Sequence, residues 1–310
     1  MALTTITVTN PLVKTYHKTS YPAIYPLRPE LSQAGKTVLI AGGSTGIGYA
    51  IARAFVQAKA ARVIILGRRA DVTKRSAAKL AAEVSTDSNS STTAVTGLQC
   101  DIVDLSDAQK LWDGFKRDGV FIDVLVLNAA TVGPAGKLVG DGGIAETWRA
   151  FEVNVRTLLD FASRFEKQEG GDRLRHLINI STSAIHNFNT DAKVLPHYGL
   201  TKNAGTLAMQ LYARQVDPSR MRIVSVHPGG VFTEMAENNG VPRSLYDWDD
   251  PSLPGNFSVW TTSEEASFLH GRFVACHWDV DELINDGVKQ QIEADYHYLT
   301  IGVLGVVGDQ

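Results

Sequence analysis

Cysteine and positive charge are both scarce in this sequence, and each shortage excludes a class of protein. Cys100 and Cys276 are the two cysteines among 310 residues, too few for the disulfide framework of a small secreted domain. The 30 Lys and Arg residues are outnumbered by 33 Asp and Glu residues, which gives a formal net charge of −3. We therefore expect no nucleic-acid partner, because proteins that bind nucleic acids carry a basic excess.

Long apolar runs are also missing. No stretch approaches the roughly 18–20 uninterrupted apolar residues of a transmembrane helix, and the N-terminus lacks the basic segment and apolar run of a signal peptide. Hydrophobic residues nevertheless make up 44% of the chain, which is enough to bury a core and excludes disorder over most of the length. We expect a cytoplasmic protein with no membrane partner.

Two segments lack a regular pattern. Residues 1–35 contain four prolines, which prevent a continuous helix; we expect an arm that lies across the domain or a partner subunit, followed by a single domain at 36–310. Residues 234–262 mix Pro, Gly, acidic and aromatic residues without a clear period, which predicts a cap over the substrate. The aromatic residues of this cap either contact an apolar or aromatic substrate or form a small core; they are Tyr246, Trp248, Phe257 and Trp260.

Short apolar runs predict seven strands, and helical patterns separate most of them. The runs lie at 37–41, 62–67, 96–101, 123–130, 176–182, 222–229 and 298–305. Apolar strands that alternate with helices are typical of a parallel sheet covered on both faces. The sequence therefore predicts a single α/β domain built on a doubly wound parallel sheet with helices on both faces.

A glycine-rich loop, Gly-x-x-x-Gly-x-Gly, follows the first strand and begins a helix. We expect Gly42 to permit a tight turn, Gly46 to let the backbone approach a pyrophosphate, and Gly48 to allow close packing of the helix. The N-terminus of that helix attracts phosphate. An ordinary turn is one alternative. A serine-hydrolase elbow around Ser44 is another, disfavoured because it follows the first strand and lacks an upstream oxyanion segment.

Two arginines follow the second strand, at the position where an acidic residue would bind the ribose 2′-hydroxyl of NAD. The guanidinium groups of Arg68 and Arg69 instead favour a 2′-phosphate. We therefore expect NADP(H) rather than NAD(H) as the cofactor. A solvated basic pair is the alternative, and the nearby Asp71 counts against a phosphate site.

Further motifs occur in the order found in short-chain dehydrogenases/reductases, which the chain resembles from about Lys36 to Thr233. "AGGSTGIG" resembles the Thr-Gly-x-x-x-Gly-x-Gly loop with Ala41 in place of Thr, and "CDI" and "LNAAT" follow it. "EVNVRT", "NIST", "YGLTK" and "HPGGVFT" complete the series. The arm and the extended C-terminal part are similar to members found in fungal secondary-metabolite pathways.

The resemblance implies a Rossmann-type fold and hydride transfer between nicotinamide and a small-molecule carbonyl/alcohol pair, with reduction as the expected direction. It implies a cofactor site formed by Gly42, Ser44, Thr45, Gly46, Ile47, Gly48, Arg68, Arg69, Asp101, Ile102, Asn128, Ala129, Ala130, Tyr198, Lys202, Pro228, Gly229, Val231 and Thr233. A non-redox cyclisation, isomerisation or elimination on the same fold is the alternative activity. A binding protein with a vestigial site is a third possibility.

Tyr198 and Lys202 are the candidate proton-transfer pair. Their i, i+4 spacing places both on one helix face, about 6 Å apart along the axis. A neighbouring ammonium favours the phenolate and so lowers the pKa of a phenol, which would let Tyr198 exchange a proton with the substrate oxygen. The resemblance further implies that Lys202 holds the nicotinamide ribose and that Asn154 completes a water-linked proton path.

The third catalytic position is a serine hydroxyl in the family, and this chain departs from that pattern. The second Ser of Asn-Ile-Ser-Ser is Thr182 here, with Ser183 as the second choice. The segment between Thr182 and Tyr198 is also longer than the family pattern, which leaves the geometry of the strand end open.

The remaining candidate residues favour structural roles. His186 and His197 flank the expected pocket, where capping or packing is favoured over substrate contact. His270 and His277 would lie about 10 Å apart on a helix, too far to chelate one Zn²⁺ at about 2 Å, so we predict no metal. The segment 148–165 predicts a helix that pairs subunits in a homodimer or homotetramer, or covers the sheet.

Overall fold

The computed structural model places a seven-stranded, fully parallel sheet at the centre of the described chain. The described residues are 12–85, 93–133, 137–140, 142–189, 191–238, 240–285 and 287–303. The strands are Thr37–Ala41 (β1), Arg62–Gly67 (β2), Ala94–Gln99 (β3), Val124–Leu127 (β4), Arg175–Ile180 (β5), Met221–His227 (β6) and Arg272–Ala275 (β7).

The strand order is β3-β2-β1-β4-β5-β6-β7, with all neighbours parallel. The chain direction across the sheet reverses between β1 and β4, so the connections leave a crevice outside the carboxyl ends of these two strands. Open α/β sheets bind ligands at this switch point. The predicted α/β doubly wound Rossmann-type fold is therefore confirmed.

The predicted last strand is wrong. Residues 298–303 form turns and irregular chain, and 304–305 lie outside the described residues. The seventh strand is instead β7, whose four residues are all buried and whose sequence, Arg-Phe-Val-Ala, is too short and too mixed to give a period. Residue Leu299 still approaches it, since the Phe273 amide donates to the Leu299 carbonyl at 2.9 Å.

Helices cover both faces of the sheet. In chain order they are Gly46–Gln57 (α1), Ala70–Ser85 (α2), Leu105–Arg117 (α3), Gly143–Phe151 (α4), Thr157–Glu166 (α5), Asp191–Val194 (α6), Pro196–Ala213 (α7), Glu234–Asn238 (α8), Ser252–Trp260 (α9), Val280–Asn285 (α10) and Val288–Ala294 (α11). A π-turn, Glu152–Arg156, joins α4 to α5. In the part of the chain described, no helix combines the length and apolarity needed to cross a membrane.

Alternation along the strands divides the apolar side chains into two cores. Val38 and Ile40 of β1 point into a core with α1, α9 and the arm. Leu39 and Ala41 point to the opposite face, into a core with α3, α5 and α7. Burial on both faces explains why the strands are continuous apolar runs.

The N-terminal arm packs on its own domain over residues 12–34. Tyr21, Ile24 and Leu31 are buried in the α1-side core, and the Tyr21 hydroxyl donates to the Trp278 carbonyl at 3.0 Å. His17 stacks on Tyr21 with ring centroids 3.6 Å apart. The arm therefore packs against the C-terminal part of the domain and holds it in place.

The C-terminal end of the segment predicted as a cap is part of the core. Phe257 and Trp260 on α9 are fully buried, and Gly255 lets this helix lie against α1, because an added Cβ would come within 2.7 Å of the Ala50 carbonyl oxygen. Tyr246 and Trp248 lie outside that core and pack edge to face, with centroids 4.9 Å apart. Of the two interpretations of these aromatics, core packing holds for Phe257 and Trp260.

Candidate active site

A cleft of about 1220 Å³ opens at the carboxyl ends of β1, β2, β4, β5 and β6. Most residues implied as cofactor contacts border it: Gly42, Ser44, Thr45, Gly46, Ile47, Arg68, Arg69, Asp101, Ile102, Asn128, Ala129, Ala130, Tyr198, Lys202, Pro228 and Thr233. Gly48, Gly229 and Val231 do not border it. The cleft thus coincides with the switch point of the sheet, where the topology alone would place a ligand.

The glycine loop fits a phosphate group closely. Gly42 and Gly46 have φ of +75° and +54°, which side chains rarely adopt. An added Cβ at Gly46 would lie 3.0 Å from the Thr233 methyl, and one at Gly48 would lie 2.1 Å from the Gly42 carbonyl oxygen. Gly48 therefore lets α1 approach β1. Gly42, Ser44, Thr45 and Gly46 border the cleft, where the N-terminus of α1 would attract a phosphate.

Asn128 holds this loop from the neighbouring strand. Its Nδ2 donates to the Gly42 carbonyl at 2.8 Å, and its own amide donates to the Ala41 carbonyl at 3.2 Å. The side-chain bond ties the end of β4 to the end of β1 across the crevice. The role of Asn128 is thus to fix the loop that borders the cleft.

The two arginines after β2 differ in their surroundings. Arg68 is exposed and has no ion pair among the described residues. Arg69 makes a two-pronged pair with Glu234, with nitrogen–oxygen distances of 2.9 and 3.1 Å. Asp71 pairs with Arg75 at 2.8 Å. Arg68 is therefore the guanidinium that is available to a phosphate without breaking a described pair.

Tyr198 and Lys202 lie on α7 and both border the cleft. Lys202 is buried apart from its contact with the cleft, and this burial lowers the pKa of its ammonium to about 8. Its Nζ donates to the Ile180 carbonyl, the one acceptor it has in the described part of the chain. An ammonium has three protons, so two donors remain to be satisfied from the cleft side, as ribose hydroxyls would do.

Asn154 lies in the π-helical turn, and both its side-chain oxygen and its side-chain nitrogen make hydrogen bonds within the protein. The Oδ1 atom accepts from the Thr131 amide at 2.9 Å, and Nδ2 donates to the Thr131 carbonyl at 2.8 Å and to the Thr201 hydroxyl at 2.9 Å. Its backbone carbonyl faces α7, where Gly205 makes room: an added Cβ there would lie 2.7 Å from that oxygen. The side chain anchors the turn and the carbonyl points toward α7.

The hydroxyl side chains after β5 are not arranged as the motif suggested. Ser181 borders the cleft, but it shares a 2.6 Å hydrogen bond with Thr206. Thr182 accepts a long bond of 3.3 Å from the Ala184 amide, and Ser183 is buried; neither borders the cleft. Both candidates for the third catalytic hydroxyl therefore lie within two residues of the cleft-lining Ser181 in sequence but do not line the cleft themselves.

Sequence reasoning missed the support beneath the Pro228–Gly230 turn. Asp249 lies 2.7 Å from the His277 ring and 2.6 Å from the Gly230 amide. The sequence places Asp249 among the acidic residues of the 234–262 segment and His277 in a possible metal pair, and neither pattern indicates this contact. The signal that could have found the contact is Gly229, because its φ of +79° and the 2.6 Å approach of Asp249 to an added Cβ leave room only for glycine.

The other candidate histidines make structural hydrogen bonds. His197 is buried and shares a 2.7 Å bond with the Thr147 hydroxyl, and His270 bridges the Ile223 amide and the Ala213 carbonyl. His186 packs edge to face on Phe273. No group of three or more His, Cys, Asp or Glu suited to a metal ion occurs within the described ranges.

Comparison with known proteins identifies the family. The model of the short chain dehydrogenases matches residues 36–243. The chain belongs to the short-chain dehydrogenase/reductase family. A "Short chain dehydrogenase/reductase" of the fungus Claviceps purpurea is 32% identical over 296 residues, which cover 94% of each chain. Family membership makes the chain an oxidoreductase of a dinucleotide-binding fold and removes support for the serine-hydrolase interpretation of Ser44.

Solved structures of the family share the fold at low identity. A Pseudomonas aeruginosa RhlG/NADP active-site complex matches with a TM-score of 0.69 and 19% identity, and covers 80% of this chain and 97% of its own. A 7α-hydroxysteroid dehydrogenase complexed with NADH and 7-oxo glycochenodeoxycholic acid matches with a TM-score of 0.67 and 20% identity. The match covers 83% of this chain and 96% of that one. One neighbour holds NADP and the other NADH, so the shared fold does not decide the cofactor.

Proposed function

We propose that this short-chain dehydrogenase/reductase uses NADP(H) and transfers hydride between nicotinamide and a small-molecule carbonyl/alcohol pair, in the reducing direction. The observation that carries the proposal is that Tyr198 and Lys202 border the same cleft as the glycine loop. A dinucleotide bound along that cleft would reach both the glycine loop and the Tyr198–Lys202 pair. The chemistry supplied by bound NADP(H) is hydride transfer at the nicotinamide ring.

The proton is handled by this chain's own residues. The Tyr198 phenol donates a proton to the substrate oxygen during reduction and takes one from the alcohol in the reverse direction. The Lys202 ammonium favours the phenolate through its charge, and its spare donors bind the ribose hydroxyls. Thr182 is the proposed third group because it occupies the motif position directly after the cleft-lining Ser181; its hydroxyl accepts from the Ala184 amide and would donate its own proton to the substrate oxygen.

Asn154 is proposed to act through its backbone. The side chain is taken up by Thr131 and Thr201, so only the carbonyl that faces α7 can hold a water molecule on the way to Lys202. A single π-helical turn between α-helices is often found at functional sites, and here the Asn154 carbonyl within it faces α7. This arrangement supports a water-linked path for the proton that Tyr198 exchanges.

The choice of NADP(H) rests on charge at the end of β2. The exposed guanidinium of Arg68 has no ion pair among the described residues, and a phosphate there would gain charge-assisted hydrogen bonds. Arg68 and Arg69 stand at the end of β2, where an acidic residue would bind the ribose 2′-hydroxyl of NAD. Arg68 therefore supports the phosphorylated cofactor.

The physiological setting is also part of the proposal. An apolar or aromatic substrate suits the half-buried aromatic pair Tyr246 and Trp248, which follows α8 in the chain. A homodimer or homotetramer would cover the exposed apolar side chains of Trp148, Leu159 and Leu200. The similarity of the arm and the extended C-terminal part to members found in fungal secondary-metabolite pathways favours a role in secondary metabolism, and the two free, buried cysteines suit a cytoplasmic location.

The cofactor proposal is tested by calorimetric titration of the purified protein with NADPH and NADH. We expect NADPH to bind about tenfold more tightly, since a charge-assisted hydrogen bond contributes about 1.5–3 kcal/mol. Arg68→Ala should erase most of that preference. Arg75→Ala, which removes the same charge from α2 outside the cleft, should retain it. Equal affinity of the wild type for both cofactors would overturn the choice of NADP(H).

A further inference from the structure

Arg69 and Glu234 approach each other across the mouth of the cleft. Arg69 follows β2, and Glu234 is the first residue of α8, directly after the turn whose Thr233 methyl lies against Gly46. Arg69 Nη1 lies 2.9 Å from Glu234 Oε1, and Nη2 lies 3.1 Å from Oε2. Both side chains border the cleft. This two-pronged geometry is also the one in which an arginine binds a phosphate.

The charges nearby single out this carboxylate. Asp71 pairs with Arg75, and Arg68 has no ion pair among the residues described. Glu237 lies three positions along α8, is exposed, and does not border the cleft. Glu234 is therefore the carboxylate that faces Arg69, and it lies on the segment that covers the glycine loop.

We infer that Glu234 is a specificity-determining residue that competes with the 2′-phosphate of NADP(H) for the Arg69 guanidinium. The inference rests on the proposed use of NADP(H). The Glu234 carboxylate occupies the Nη1/Nη2 edge of the guanidinium, so a phosphate that binds this edge must displace it. NAD(H) has no 2′-phosphate and is not opposed. Glu234 thus lowers the cofactor preference that the two arginines would otherwise give.

Isothermal titration with NADP⁺ and NAD⁺ tests the competition. Glu234→Gln should tighten NADP⁺ binding by about three- to fivefold, the upper end of what an exposed ion pair contributes, and should change NAD⁺ binding less than about 1.5-fold. Glu237→Gln removes the same charge from the same helix and should change neither affinity. An equal gain for both nucleotides, or an equal gain in Glu237→Gln, would overturn the inference.

Arg69→Ala completes the test. Without the guanidinium there is nothing to compete for, so Glu234→Gln added to Arg69→Ala should give no further gain in NADP⁺ affinity. A gain that persists without Arg69 would show simple charge repulsion and would overturn the inference. Failure of the cofactor proposal is distinguishable: the wild type would then bind NADP⁺ and NAD⁺ equally, whatever Glu234→Gln does. If the wild type prefers NADP⁺ and Glu234→Gln gives no gain, only this inference fails.

Discussion

The carboxylate of Asp249 lies 2.6 Å from the amide nitrogen of Gly230. The same carboxylate oxygen lies 2.7 Å from His277 Nε2, and the Asp249 amide donates back to the Gly230 carbonyl at 2.9 Å. Burial acts to raise the pKa of Asp249, but His277 and the Gly230 amide outweigh it and leave the pKa below its usual value. The Pro228–Gly230 turn, which borders the cleft through Pro228, is thus held in place by the Asp249 carboxylate.

Loss of the Asp249 charge should loosen that turn. We expect Asp249→Asn to lower the free energy of unfolding by about 1–3 kcal/mol at pH 7, since it weakens a buried, charge-assisted contact, and to weaken NADPH and NADH binding by the same factor. Urea unfolding and titration measure these effects. Asp247→Asn is the control, because Asp247 is exposed and pairs with Lys18. Unchanged affinity in Asp249→Asn would refute a role in holding the turn.

Enclosure of Lys202 should make stability depend on alkaline pH. Its pKa is about 8 in the folded chain and about 10.4 in an unfolded one. Between these values the unfolded state holds the proton and the folded state does not, so stability rises with pH by about 3 kcal/mol in total. Lys202→Met should lack this rise. Urea unfolding of both proteins from pH 7.5 to 10.5 measures this rise in the free energy of unfolding. The same pH dependence in the wild type and in Lys202→Met would mean that burial does not lower the pKa of Lys202.

His176 should account for part of the acid sensitivity. It lies at the start of β5, far from the cleft end of that strand, and burial lowers its pKa to about 3. As pH falls below about 6.5 the unfolded chain takes up a proton that the folded ring does not, so about 2 kcal/mol of stability is lost by pH 5. His176→Leu should abolish that loss and leave activity unchanged.

Thermal unfolding at pH 5 and pH 8 measures the effect. The gain of His176→Leu over the wild type should be larger at pH 5. The exposed His297→Leu serves as the control and should follow the wild type at both values. A gain in His176→Leu that is the same at both pH values would mean that the ring does not stay neutral in the folded state.

The sequence predicted the fold well because its signals are local. The apolar runs of β1 and β2, the glycine spacing and the Tyr198–Lys202 pair each lie within a few neighbouring residues. The failures concern contacts between distant segments. β7 is too short to give a period, and its pairing with β6 decides its structure. The burial of Phe257 depends on α1, some 200 positions earlier in the chain.

The candidate site shows the same difference between what local sequence patterns predict and what contacts between distant segments decide. Motif order could suggest which residues line the cleft, but not that Glu234 reaches Arg69 or that Asp249 supports Gly230, because each pair joins segments far apart in sequence. The replacement of Ser by Thr182 illustrates the limit most clearly. The motif gave the position of the hydroxyl, whereas the actual hydrogen bonds of Ser181, Thr182 and Ser183 depend on α7 and on the turn after β5.

In the proposed reaction, Tyr198 exchanges the proton while hydride passes to or from bound NADP(H). The most direct measurement is oxidation of NADPH with a panel of aromatic and apolar carbonyl compounds, followed by the mass of the product, in the wild type and in Tyr198→Phe. We predict a product heavier by two hydrogens, and a Tyr198→Phe variant that binds NADPH as the wild type does but shows at least a hundredfold lower turnover, the low end of about 10²–10⁴ for proton transfer. A product of unchanged mass, or wild-type turnover in Tyr198→Phe, would contradict it.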